Sequence, residues 1–160
     1  MSGRWLRTSF FPVLFLTAFA GVGRSPAAPR FPTPSEQPVL AKDYLHNRLK
    51  LWQGILHLDT WNVTLEVTPR TELRAGTVGN IRWDDEEKSA RIRVLQASDY
   101  EVPFYSALED MEFTVLHELL HLELAALPRT DESRVEEEHA VDRMAAALLQ
   151  LQSTSTRATP

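Results

Sequence analysis

The run TVLHELLHLEL, residues 114–124, sets His117, Glu118 and His121 among leucines. His117 and His121 are four residues apart, so on a helix they stand one above the other on a single face. Leu120 and Leu124 share that face, which therefore points inward. Glu118 sits one step round. The arrangement is H-E-x-x-H, in which both imidazoles can reach one metal ion and the carboxylate lies beside it. Imidazole suits a borderline-soft divalent ion such as zinc, and a catalytic zinc takes three protein ligands and keeps one position open for water. The metal lowers the pKa of that water and the glutamate can take its proton.

A third ligand has to come from elsewhere, and RVEEEHAVDRMAAALL, residues 134–149, supplies candidates. Val141, Ala145, Leu148 and Leu149 mark the inward face of a second helix. Glu138 lies on that face, with Asp142 one turn further on. Two acids on an inward stripe are costly unless they are paired or bound to a metal. Glu138 is thus the candidate third ligand. Asp142 is the candidate acceptor of a histidine's second N–H, an interaction that fixes the tautomer of a metal-bound imidazole. His139 falls off the stripe. Glu136 and Glu137 read as mostly solvated charges, although Glu137 borders the apolar face. His46 and His57 are far from the motif and read as surface or satisfied core residues.

HELLH followed by EHAVD resembles the gluzincin pattern, H-E-x-x-H then E-x-x-x-D, of thermolysin-like metallopeptidases. It is also similar to the small ImmA/IrrE-type peptidases and to short phage-type metallopeptidases, in which a strand-rich half precedes HELxHL. The two motifs cover residues 117–142. The resemblance implies a zinc-dependent peptidase acting on a peptide or protein substrate. Glu118 would be its general base, His117, His121 and Glu138 its zinc ligands, and Asp142 the carboxylate that orients His117. Thermolysin-type enzymes also use a downstream histidine and tyrosine to stabilise the tetrahedral intermediate. Here only Arg143 follows Asp142 as a candidate, and Tyr100 and Tyr105, just upstream of the motif helix, read first as packing aromatics. A metal-binding regulatory or sensor domain without turnover is the alternative. A purely structural polar network is the second rival.

The rest of the chain must position these groups. At 160 residues it is long enough for one ordinary domain. A hydrophobic fraction of 43% and a charged fraction of 24% are those of a globular protein. A net charge of −5 argues against a nucleic-acid partner, since phosphate contacts need a basic surface. There is no cysteine, so a transition metal must be held by His, Asp or Glu. Residues 1–23, with Arg4 and Arg7 before an apolar run and AFA at 18–20, resemble a secretory signal peptide. The product would then be secreted or periplasmic, and otherwise cytoplasmic. The run is too short for a stable membrane span, which needs about 20 residues. Residues 24–38 are a proline-rich linker.

Over 39–152 the pattern predicts an α+β domain: an N-terminal helix across 39–58, three strands, the motif helix and a C-terminal helix, an order that resembles a minimal zincin-like domain. The strands are Trp61–Val67, Val78–Trp83 and Ala90–Leu95, the last two forming a hairpin around the acidic turn DDEEK. The small sheet is expected to be largely antiparallel, and one edge of the hairpin is a place where an extended peptide can add as a further strand. The motif helix runs from about Ala107 to Leu127 and the last from about Glu132 to Leu151. The tail, 153–160, is expected to be disordered.

Overall fold

The computed structural model describes residues 30–127 and 131–158, which leaves the expected leader, and residues 24–29 of the expected linker, outside the described residues; Gln37 and Pro38, expected in the linker, already belong to the first helix. The element order is α1 (Gln37–Ile55), β1 (Asn62–Thr68), β2 (Gly79–Asp84), β3 (Ser89–Leu95), α2 (Phe104–Glu123) and α3 (Asp131–Ala158), with single 3-10 turns at Arg70–Glu72 and Ala97–Asp99. This is an α+β domain with a small sheet. No described helix is long and apolar enough to cross a membrane.

α1 buries Ala41, Leu45, Leu49 and Trp52, a stripe at helical spacing. Its last turn closes through His57, whose positive φ of 56° reverses the chain, while Leu58 N–H bonds back to the Gln53 carbonyl at 2.8 Å. His57 therefore serves a helix end. His46 is exposed and bonds through Nδ1 to the Lys42 carbonyl at 2.9 Å. Neither approaches the motif.

The sheet order is β1-β3-β2. β2 and β3 form the expected antiparallel hairpin, with Ile81 opposite Ile92 and Trp83 opposite Ala90. Its turn is held by Asp84, whose Oδ1 accepts from the N–H groups of Glu86 and Glu87, and by Lys88 at a φ of 47°. β1, however, pairs with β3 in parallel, Leu65 opposite Ile92. The sheet is thus mixed, where a largely antiparallel one was expected. Its cause lies in the β1–β2 connection, whose 3-10 turn and loop carry the chain past the position next to β1. β2 enters beyond that position and β3 returns between the two. β3 is the central strand, and Ala90, Ile92, Val94 and Leu95 are buried. β1 and β2 are both edges.

α2 lies across the sheet. Met111, Val115, Leu116 and Leu119 are fully inaccessible, and each such side chain contributes roughly 1.5–3 kcal/mol on burial. The helix begins at Phe104, earlier than expected, directly after Pro103 in an extended conformation, and ends at Glu123, with a turn to Leu127 before the expected stop at Pro128. On the side facing α1, Glu112 is buried and accepts from Trp52 Nε1 at 2.9 Å, and from Tyr44 and Arg48. This shared acceptor ties α1 to α2.

α3 packs chiefly on α2, with Val141 and Ala145 fully buried. It continues to Ala158 rather than stopping near Leu151, so the tail expected to be disordered is helical through 153–158. Ser153 and Thr154 donate to the Gln150 and Leu151 carbonyls at 2.8 Å, and Ser155 to the Leu151 carbonyl at 3.0 Å. The helix's own carbonyls thus accept from the hydroxyls of this polar tail.

Candidate metal centre

α2 and α3 run antiparallel where they meet, as their pairings show: His121 lies beside Glu137 and His117 beside Asp142. The Nε2 atoms of His117 and His121 are 3.0 Å apart. Glu138 Oε2 lies 3.3 Å from the first and 3.4 Å from the second. These three atoms form a nearly equilateral triangle. Metal–ligand bonds near 2.0–2.1 Å at tetrahedral angles put ligand atoms about 3.3 Å apart, so the triangle has the edges of one face of a tetrahedral site. His117, His121 and Glu138 can hold a metal ion together. The donor set, two imidazoles and one carboxylate, suits a divalent transition metal.

Each imidazole has a carboxylate behind it. His117 Nδ1 lies 3.0 Å from Asp142 Oδ1, the pairing expected from sequence. His121 Nδ1 lies 3.0 Å from Glu137 Oε1, which was not expected. A proton on each Nδ1, donated to its carboxylate, leaves both Nε2 lone pairs aimed at the centre of the triangle. Glu137 thus joins the site, although in sequence it reads as a solvated charge. Its signal was its spacing: it precedes the buried Val141 by four and Ala145 by eight, on the same face. Its side chain is 17% exposed, whereas those of Glu138 and Asp142 are each 55% exposed. The two acids expected on the inward stripe therefore face a cleft beside it, and the more deeply set carboxylate is Glu137. Glu136 and His139 point to solvent.

Glu118 lies one residue beyond His117 and turns toward β2, only 8% exposed. Burial pushes its pKa up to about 7, and the charge of Glu138 adds to the rise, while that of His121 opposes it. A carboxyl group in that range can both accept and return a proton near neutral pH. β2 comes this close because residue 79 is glycine. A Cβ there would lie 2.3 Å from Thr114 Cγ2 and 3.2 Å from Glu118 Oε1.

The group opens onto a cleft of about 610 Å³ between β2, α2 and α3. One wall is the β2 edge, with Gly79, Asn80, Ile81 and Trp83; Phe113 also lines it, its ring 6.2 Å from that of His117. Tyr100, Tyr105 and Arg143 do not line it. Tyr105 is half exposed, and Tyr100 packs against the hydrophobic core. None of the protein-family models, curated proteins or solved structures compared with the chain matches it.

Proposed function

We propose that the chain is a zinc-dependent metallopeptidase, with His117, His121 and Glu138 as zinc ligands and Glu118 as general base. The observation that carries this reading is the triangle of 3.0, 3.3 and 3.4 Å between the three ligand atoms, with a buried carboxyl group next to it. When bound, zinc lowers the pKa of water and polarises a carbonyl oxygen. Glu118 takes a proton from the attacking water as its oxygen bonds to the peptide carbonyl carbon. The same carboxyl returns the proton to the amide nitrogen as the C–N bond breaks. Asp142 and Glu137 hold the imidazoles in the tautomer that leaves Nε2 free. The free edge of β2 supports a peptide substrate, since an extended segment can add there and bring its backbone past the metal group.

The test separates ligand from base. The protein should bind close to one zinc per chain, and Glu118→Gln should keep that zinc and its fold while losing hydrolysis of unfolded protein substrates. Zinc loss in Glu118→Gln would reassign Glu118 as a ligand. A second reading, a metal sensor without turnover, is favoured by the fact that neither Tyr100 nor Tyr105 lines the cleft, and it predicts zinc binding without hydrolysis in the unsubstituted protein.

A further inference from the structure

Among the described residues, six charged side chains line the cleft: Glu118, Glu137, Glu138, Asp142, Arg74 and Arg134. The carboxylates are accounted for. Glu137 and Asp142 back the two imidazoles, Glu138 faces both Nε2 atoms, and Glu118 is buried against β2. The arginines are not. Both are exposed, and neither guanidinium has an ion pair or hydrogen bond with a described residue. In a chain of net charge −5, two uncommitted cations on one cleft need a reason.

Both are placed by local structure. Arg74 opens a tight turn that leads into β2. Its carbonyl accepts from Thr77 N–H at 3.1 Å and from Thr77 Oγ1 at 2.9 Å. Gly76 supplies the positive φ of 81° that the third position of a type II turn requires. Arg134 lies one helical turn before Glu138, on the same face of α3. Because Glu137 pairs with His121, this turn lies on the His121 side of the metal group, away from Phe113 and Asp142. The cleft thus takes one arginine from the turn before β2 and one from α3.

We infer that Arg74 and Arg134 recognise a carboxylate of the substrate, so that the cleft selects acidic peptides or a free chain terminus. This rests on the peptidase reading for the word substrate, but the recognition itself does not require turnover. A guanidinium presents a planar fork that matches a carboxylate, and charge-assisted bonds of this kind are about twice as strong as neutral ones.

Binding can be measured apart from cleavage. The probe is the full chain carrying Glu118→Gln, loaded with zinc, and fluorescent peptides of one sequence bearing Glu, Gln or Lys at a single site, each with a free or an amidated end. The Glu peptide should bind roughly tenfold more tightly than the Gln peptide at low salt, with the Lys peptide weakest. Arg74→Gln and Arg134→Gln should each remove about two- to fivefold of that preference and leave zinc affinity unchanged. The preference should shrink at about 1 M salt. Loss of binding on amidation alone would also support the inference and assign the carboxylate to the chain terminus. Equal binding of Glu and Gln peptides with either end, no binding at all, or a preference that survives the double arginine variant would overturn it. Arginine-dependent binding of acidic peptides without cleavage by the unsubstituted protein would refute the peptidase reading and leave this inference standing. Cleavage without any carboxylate preference would do the reverse.

Discussion

Removing one carboxylate at a time from α3 gives a graded test of the metal centre. Glu138 touches the place where the ion would sit, so Glu138→Ala leaves two protein ligands and should weaken zinc binding more than 100-fold. Glu137 and Asp142 act through an imidazole. Removing such a partner typically costs 10- to 100-fold, about 1.4–2.7 kcal/mol. The two should not be equal. Both sit 3.0 Å from their Nδ1 atoms, but Glu137 is 17% exposed and Asp142 55% exposed. The less exposed pair is less screened, and breaking it removes the carboxylate behind the more deeply set imidazole, His121 being 11% exposed and His117 17%. Glu137→Ala should therefore fall near the 100-fold end and Asp142→Ala near the 10-fold end, while Glu136→Ala should change nothing measurable. The assay is competition for zinc against a chromophoric chelator, with circular dichroism to establish that each variant is folded. Glu137→Ala titrating like Glu136→Ala would refute the second carboxylate–imidazole pair, and near-unchanged affinity in Glu138→Ala would refute the ligand set.

Glu118 gives a pH test on metal-free protein. Its folded pKa is raised to about 7, so the fold prefers the neutral acid, and that contribution is present at low pH and lost as pH rises through the folded value. With chelator present, Glu118→Gln should stabilise the protein at pH 8 by up to about 3 kcal/mol, read as a higher Tm, with the gain shrinking as pH falls below about 7 and gone only below the ordinary carboxyl value of 4.5; a pH-independent gain would contradict the assignment. Gly79→Ala should cost about 1–3 kcal/mol in urea unfolding, because Thr114 is held by its bond to the Asp110 carbonyl at 2.9 Å and its methyl cannot retreat. Thr114→Ser, which removes that methyl, should recover part of the loss, and no recovery would mean the strain lies elsewhere. Glu112→Ala should destabilise by about 3–5 kcal/mol, since Arg48 and Trp52 lose a buried acceptor, with zinc affinity of the folded fraction unchanged; a stable Glu112→Ala protein would show that α1 is held by its apolar stripe alone.

Periodicity made much of this legible. Leu45, Leu49 and Trp52 mark α1 at helical spacing, and alternation with a polar turn marks the β2–β3 hairpin. Helical spacing pairs His117 with His121, and Glu138 with Asp142, each on one face of its own helix; that the two faces meet was implied by the resemblance to H-E-x-x-H then E-x-x-x-D and not by spacing. What periodicity omits is direction and partner. A strand alternates identically whether its neighbour runs with it or against it, so the parallel pairing of β1 with β3 left no mark on residues 62–68. Glu112 reads as one more acid on a helix until Tyr44, Arg48 and Trp52 arrive from α1. Glu137 stands four before Val141 and eight before Ala145, but in a run of three acids, Glu136, Glu137 and Glu138, its charge outweighed that spacing. The polar tail beyond Leu151 was misread because composition does not show hydroxyls turning back onto the helix carbonyls.

Both imidazoles belong to α2 and all three of their carboxylates to α3, which also packs chiefly on α2 with Val141 and Ala145 buried. A divalent ion there would act as a clasp between two helices. Its binding energy would be shared between coordination and the docking of α3, so affinity and helix docking would be two readings of one equilibrium. Loading the ion should slow amide exchange along α3 and leave the hairpin nearly unaffected. Any partner that pulled α3 away would release the ion and dismantle the centre in the same movement.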